Sequence, residues 1–77
     1  MLQPPRLYLI LDTVARAGSI RKAADRLRIA STALNRSILN VEKELGTPLF
    51  ERLPRGVRLT AAGEVLIATI RRSLSDL

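Results

Sequence analysis

The sequence predicts a mainly α domain: a core of three helices, a two-stranded β-hairpin, then a longer C-terminal helix. Three observations predict it. Apolar residues recur at three- and four-residue steps in four separate windows, the spacing of one helical face. Gly18, Gly46 and Pro48 punctuate those windows. Between the third and fourth windows, short apolar runs flank Leu53-Pro54-Arg55-Gly56, with proline and glycine where a type I turn accepts them.

The first helix is expected over residues 6–17, with Leu7, Ile10, Leu11 and Val14 on its buried face. Pro4 and Pro5 hold the chain extended before it, and Gly18 is placed to end it. Ser19 can cap a second, short helix over 20–27 by accepting from an amide two or three residues on. Its apolar side is Ile20, Ala23, Ala24 and Leu27, and the paired alanines allow another helix to approach closely. Arg28, Ile29 and Ala30 leave room only for a tight turn. A third helix then runs from Ser31 to Leu45 with a narrow stripe of Leu34, Ile38, Val41 and Leu45. Gly46 stops it and Pro48 prevents a restart.

Strands are expected over 49–52 and 57–59. A lone hairpin is marginal, so this one should lean on the helices through Leu49, Phe50 and Leu59. Thr60 caps a fourth helix from Ala61 to the C-terminus. Its apolar residues Val65, Leu66, Ile67, Ile70, Leu74 and Leu77 exceed one stripe, and so small a monomer is expected to leave part of them for a second copy. The chain reads as residues 1–60 forming one compact unit and residues 61–77 forming a dimerisation and linker helix.

Composition narrows the function. Thirteen Lys and Arg against seven Asp and Glu give a net charge of +6, which favours a polyanionic partner. With no Cys and no His, the chain lacks thiolate chemistry, the commonest general base and the commonest metal ligand. The carboxylates are scattered singly or on helix exteriors, Glu42 and Glu44 among them, so no acid–base pair can be named. No enzyme activity and no cofactor are expected. The longest apolar run, Val65 to Ile70, is too short to span a bilayer, and a cytoplasmic protein is the plain expectation.

A short helix, a three-residue turn and a longer helix with a one-sided stripe make the helix-turn-helix layout. Its second helix buries one face and offers the other to the major groove, roughly 12 Å wide. Opposite Leu34, at about 100° per residue, lie Thr32, Arg36, Leu39 and Lys43, with Ser31 and Asn35 toward one edge near the N-terminal end. Arg bonds bidentately to guanine and Asn to adenine, while Ser and Thr reach bases or phosphates. Ser19 and the amides opening the second helix can hold a phosphate, with Arg21 and Lys22 strengthening that grip. Arg55 at the hairpin tip is positioned to enter a minor groove, whose negative potential attracts arginine.

At this point the sequence resembles a family, the N-terminal DNA-binding domain of LysR-type transcriptional regulators from bacteria. The resemblance rests on Ala17-Gly18-Ser19-Ile20, Lys22-Ala23-Ala24 with Leu27, Ala33-Leu34 with Arg36 and Ile38, and Glu44-Leu45-Gly46. It continues through Pro48-Leu49-Phe50-Glu51-Arg52 and Val57-Arg58-Leu59-Thr60 with Ala62-Gly63-Glu64, so that it covers residues 7–66. It implies a winged helix-turn-helix whose long fourth helix dimerises and links to an effector-binding domain lying outside this chain. It further implies base contacts from Ser31, Thr32, Asn35 and Arg36, a wing contact from Arg55, and assembly into homotetramers that answer a small metabolite.

Departures from the family pattern carry information. Ala30-Ser31-Thr32 stands where the family usually has Ser-Gln-Pro or Ser-Gln-Ser. Ala30 cannot cap, so either Ser31 takes over and shifts the helix start, or the cap is lost at roughly 1 kcal/mol. Asn35 replaces a common Ser and adds a bidentate option for adenine. The function expected is sequence-specific binding of an inverted-repeat DNA operator as a dimer, by a nucleoid-associated bacterial regulator. The alternative is a helix-turn-helix used for protein–protein contact, against which the basic and polar outer face of the third helix argues. RNA binding is less suited, because stacking aromatics are nearly absent.

Overall fold

The computed structural model describes residues 4–76, so Leu77 and residues 1–3 of the expected 1–60 unit lie outside it. Four helices and one antiparallel hairpin follow in the order α1 (Pro4–Ala17), α2 (Ile20–Leu27), α3 (Ser31–Leu45), β1 (Phe50–Leu53), β2 (Gly56–Leu59) and α4 (Ala61–Ser75). The prolines open α1 instead of preceding it. The first helical amides have no intrahelical acceptor, and the fixed φ of proline is already helical, so nothing is lost by placing Pro there.

The core is aliphatic, with Phe50 its single fully packed ring. Leu11, Val14, Leu34, Ile38 and Leu49 are the largest fully buried side chains, with Ala23 and Ala24 between α2 and its neighbours. α2 packs on both α1 and α3, while α1 also packs on α4 and β2. The Arg71 guanidinium lies 5.9 Å from the centroid of Tyr8, joining α4 to α1 at their exposed margin.

Side chains join the elements at three corners. Ser19 Oγ accepts from the Lys22 amide at 3.2 Å, as expected for the cap of α2. Thr60 Oγ1 accepts from the Gly63 amide at 3.0 Å and donates to the Pro48 carbonyl at 2.8 Å, tying α4 to the strand entry. Gly63 has no room for a side chain: a Cβ there would strike the Leu49 carbonyl oxygen, so glycine is what lets α4 seat this close. The third corner belongs to Glu42, whose carboxylate accepts from the amides of Leu49 at 2.6 Å and Phe50 at 3.1 Å. Glu42 therefore anchors the start of β1, at about 1.5–3 kcal/mol per charged hydrogen bond, rather than idling on the helix exterior.

The turn between α2 and α3 departs from ideal backbone. Arg28 holds φ 58° and ψ 45°, the only positive φ outside glycine among the described residues. Ala30 occupies the N-cap position of α3 in extended conformation and makes no side-chain hydrogen bond. Of the two alternatives, the cap is lost and the helix start is not shifted. Ala30→Ser is accordingly expected to stabilise the domain by about 1 kcal/mol, raising its unfolding midpoint by roughly 4–8 °C. A melt that coincides with that of the unsubstituted chain would reject this account of the α3 start.

The hairpin pairs Phe50 with Leu59, Glu51 with Arg58, Arg52 with Val57 and Leu53 with Gly56. The strands thus extend to Leu53 and Gly56, closer to the turn than expected, leaving only Pro54-Arg55 as the link. Neither link residue has positive φ, which excludes the primed hairpin turns and type II and agrees with the expected type I turn. Leu49 and Phe50 are buried and Leu59 half-buried, so the wing leans on the helices. The hairpin is tied to the α1–α2 corner near its turn by the Val57 amide, which donates to the Gly18 carbonyl at 3.0 Å.

Helix α4 corrects the expected dimer face. Ile67 and Ile70 are only 8% and 6% exposed, because they fill the same core as α1. They are unavailable to a second copy. Leu66 and Leu74 are half-buried against that core, and Val65, 66% exposed, faces solvent. The C-terminal end of the α3 stripe differs too. Leu45 is 49% exposed and, with Leu49, Ala61, Ala62, Val65 and Leu66, lines an open apolar groove between the end of α3 and α4.

Candidate nucleic-acid interface

Helix periodicity alone puts Leu34 and Ile38 inward and turns Ser31, Thr32, Arg36, Leu39 and Lys43 outward, where all five are exposed. At the N-terminal end of α3 the outward residues meet two other elements. Ser31, Thr32 and Asn35 line an open groove together with Ile20 and Arg21 from α2 and Arg52 from β1. The mixed polar lining includes two arginines and no carboxylate, so it offers hydrogen-bond donors and positive charge to an anionic, acceptor-rich ligand.

Each position has a local cause. The tight Arg28–Ala30 turn folds α3 back against α2, and Arg21 and Ser31 line one groove. In β1, side chains alternate. Phe50 is buried against the helices, and Arg52, two residues on, therefore leans toward α3. Its Nη1 donates to Asn35 Oδ1 at 2.9 Å. Glu51 lies on the other face and pairs with its cross-strand neighbour Arg58 at 3.0 Å. That hydrogen bond and the accompanying charge attraction raise the Arg58 pKa further above its ordinary value. Asp12 does the same for Arg16 on α1, at 2.9 Å. Both guanidiniums are thus already engaged by carboxylates.

The remaining expected contacts are spread around this groove. Arg36 is exposed on the outer face one residue beyond Asn35, outside the groove lining. Ser19 serves the α2 cap, and because its oxygen accepts there its own hydroxyl proton stays available to a ligand. Lys22 is exposed in the first turn of α2, and Arg55 is exposed at the wing tip, apart from the groove. Reading the sequence missed Arg52, although the Phe50–Arg52 alternation was a usable signal once β1 was recognised. Among the described residues no group of His, Cys, Asp and Glu is placed to hold a metal ion, and no helix is long and apolar enough to cross a membrane.

Comparison with known proteins agrees with this geometry. Residues 5–64 match the family described as bacterial regulatory helix-turn-helix protein, lysR family. The chain is 48% identical over 61 residues to the HTH-type transcriptional regulator ClcR of Pseudomonas putida, covering 79% of this chain and 21% of that protein. It is 45% identical over 62 residues to the HTH-type transcriptional regulator TfdT of Cupriavidus pinatubonensis, covering 80% and 27% respectively. Both relatives are regulators rather than enzymes, and the chain spans about a quarter of their length. Among solved structures it resembles the DNA-binding domain of CbnR in complex with DNA, with a TM-score of 0.81 and 35% identity, over 96% of this chain and 84% of that one. It equally resembles the BenM DNA-binding domain on benA site 1 DNA, with a TM-score of 0.81 and 36% identity over 97% and 83%.

Proposed function

This chain belongs to the lysR family of bacterial regulatory helix-turn-helix proteins, and on that premise we propose that it binds double-stranded DNA sequence-specifically as a symmetric dimer. The observation that carries the proposal is the groove at the N-terminal end of α3. Ser31, Thr32 and Asn35 converge there with Arg21 and Arg52, and Arg36 stands exposed beside them. CbnR and BenM, which share the fold, have been solved on DNA.

In this reading Ser31, Thr32, Asn35 and Arg36 meet base edges in the major groove. Ser19, Arg21 and Lys22 hold a phosphate at the start of α2, where amides and cations coincide. Arg55 reaches the adjacent minor groove from the wing tip. Residues 1–60 read DNA, while 61–77 carry the dimer contact and lead toward a small-molecule-binding part outside this chain. With Ile67 and Ile70 committed to the core, the dimer contact reduces to Val65 and the open edges of Leu66 and Leu74. The longer protein is proposed to form a tetramer in the bacterial cytoplasm, at the nucleoid. Two recognition helices related by a two-fold axis call for an inverted-repeat site.

Selection of bound duplexes from a random pool tests binding, specificity and symmetry together. On a selected site, Arg36→Ala is expected to cost about 1–3 kcal/mol with relaxed preference at its base. Lys22→Ala should weaken all sequences alike and lower the salt slope by about one. Unchanged affinity of Arg36→Ala for the selected site would refute the placement of α3 in the groove, and selection of a single half-site would refute the dimer.

A further inference from the structure

The hydrogen bond between β1 and α3 changes what Asn35 can read. An asparagine recognises adenine by giving one amide proton to N7 and receiving the N6 amino group on its oxygen. Here that oxygen already receives a proton from Arg52 Nη1 at 2.9 Å, and Asn35 is half-buried beside it. We propose that Arg52 is a positioning residue that fixes the Asn35 amide with its oxygen turned to the wing, so that Asn35 reads guanine in preference to adenine. The inference rests on the DNA-binding reading above and assigns the base class of one of its contacts.

The chemistry follows from counting donors and acceptors. Arg52 carries five N–H donors and no acceptor, and the Asn35 amide nitrogen carries two donors. With Oδ1 facing the guanidinium, the pair shows the groove donors and a positive charge. An adenine amino group approaching Oδ1 would meet the Arg52 cation, donor against donor. Guanine presents N7 and O6, both acceptors, and finds donors on both side chains. Charge-assisted bonds of this kind are shorter and stronger than neutral ones, so the guanidinium adds to the discrimination. Ser31 and Thr32, which also line the groove, carry hydroxyls that adapt to either base and do not oppose this preference.

The test uses the 77-residue chain and duplexes selected from a random pool. Asn35→Ala identifies the base position that Asn35 controls, as the one whose preference is lost. The unsubstituted chain is expected to favour guanine over adenine there by about tenfold, within the discrimination of one good base contact. Arg52→Met keeps the aliphatic stem but removes the donors. It should shift that one position toward adenine while preferences elsewhere in the site persist. Arg52→Lys retains a donor and should keep guanine. Adenine selected by the unsubstituted chain would overturn the proposal, as would an unchanged preference in Arg52→Met whose thermal melt matches the parent. Failure to retain any duplex is a different result: it would overturn the DNA-binding reading, and this assignment with it.

Discussion

Gly56→Ala is expected to cost roughly 2–6 kcal/mol, enough to remove most of the stability of a domain this small. Two terms add. Gly56 holds φ +149°, a region that side chains other than glycine occupy only under strain of about 1–3 kcal/mol. A Cβ at this position would also run into the Gly18 carbonyl oxygen. That obstacle is backbone at the α1–α2 corner, so no rotamer change relieves it, and overpacking of this kind costs about 1–3 kcal/mol more. The same carbonyl accepts from the Val57 amide at 3.0 Å, so moving β2 outward to make room breaks the bond that ties the wing to that corner. Thermal or urea unfolding followed by circular dichroism reads the effect. A midpoint within a few degrees of the unsubstituted chain would show that the corner does not hold the wing. The consequence reaches function because β1, paired to β2, carries Arg52 to Asn35.

What could be read in the sequence divides along one line, local against cross-element. The bounds of α2 follow from a stripe, the Ser19 cap and a short turn, those of α3 from a stripe and the Gly46 stop, all within one helix length, and they match the structure. Ser31 and Asn35 are legible as one edge of one helix, and Thr32 as its outer face, for the same reason. Contacts between elements left little local trace. Arg52 and Asn35 lie seventeen residues apart, and Glu42 reaches Leu49 across the Gly46–Pro48 turn. In α4 a broad apolar surface showed that something must be covered, yet periodicity has no means to say by what. Ile67 and Ile70 turned out to be covered by α1 and the rest of the monomer's core. Pro4 and Pro5 mark a second limit. Proline breaks a helix interior but is welcome in the first turn, so the start expected at residue 6 lies two residues too late and α1 begins at Pro4.

Leu34→Ala should destabilise the domain by about 2–5 kcal/mol, through lost transfer energy and a cavity at a side chain with no exposed surface. Three leucines on α3 make the comparison internal to one helix. Leu34 is 0% exposed, while Leu39 and Leu45 are 48% and 49% exposed. Identical chemistry is therefore removed from one packed and two open sites with the same helix propensity change. Leu39→Ala and Leu45→Ala should stay within about 0.5 kcal/mol of the parent, as surface substitutions do. Leu34 and Ile38 are the fully buried residues of α3, so they set how deeply and at what rotation the helix sits. Loss of Leu34 should consequently weaken DNA binding at every base position together, through the unfolded fraction and a loosened helix. Leu39→Ala should act, if at all, at a single base. Equal melting of the three variants would mean that α3 is rotated from the placement described, and its outward face would then have to be reassigned.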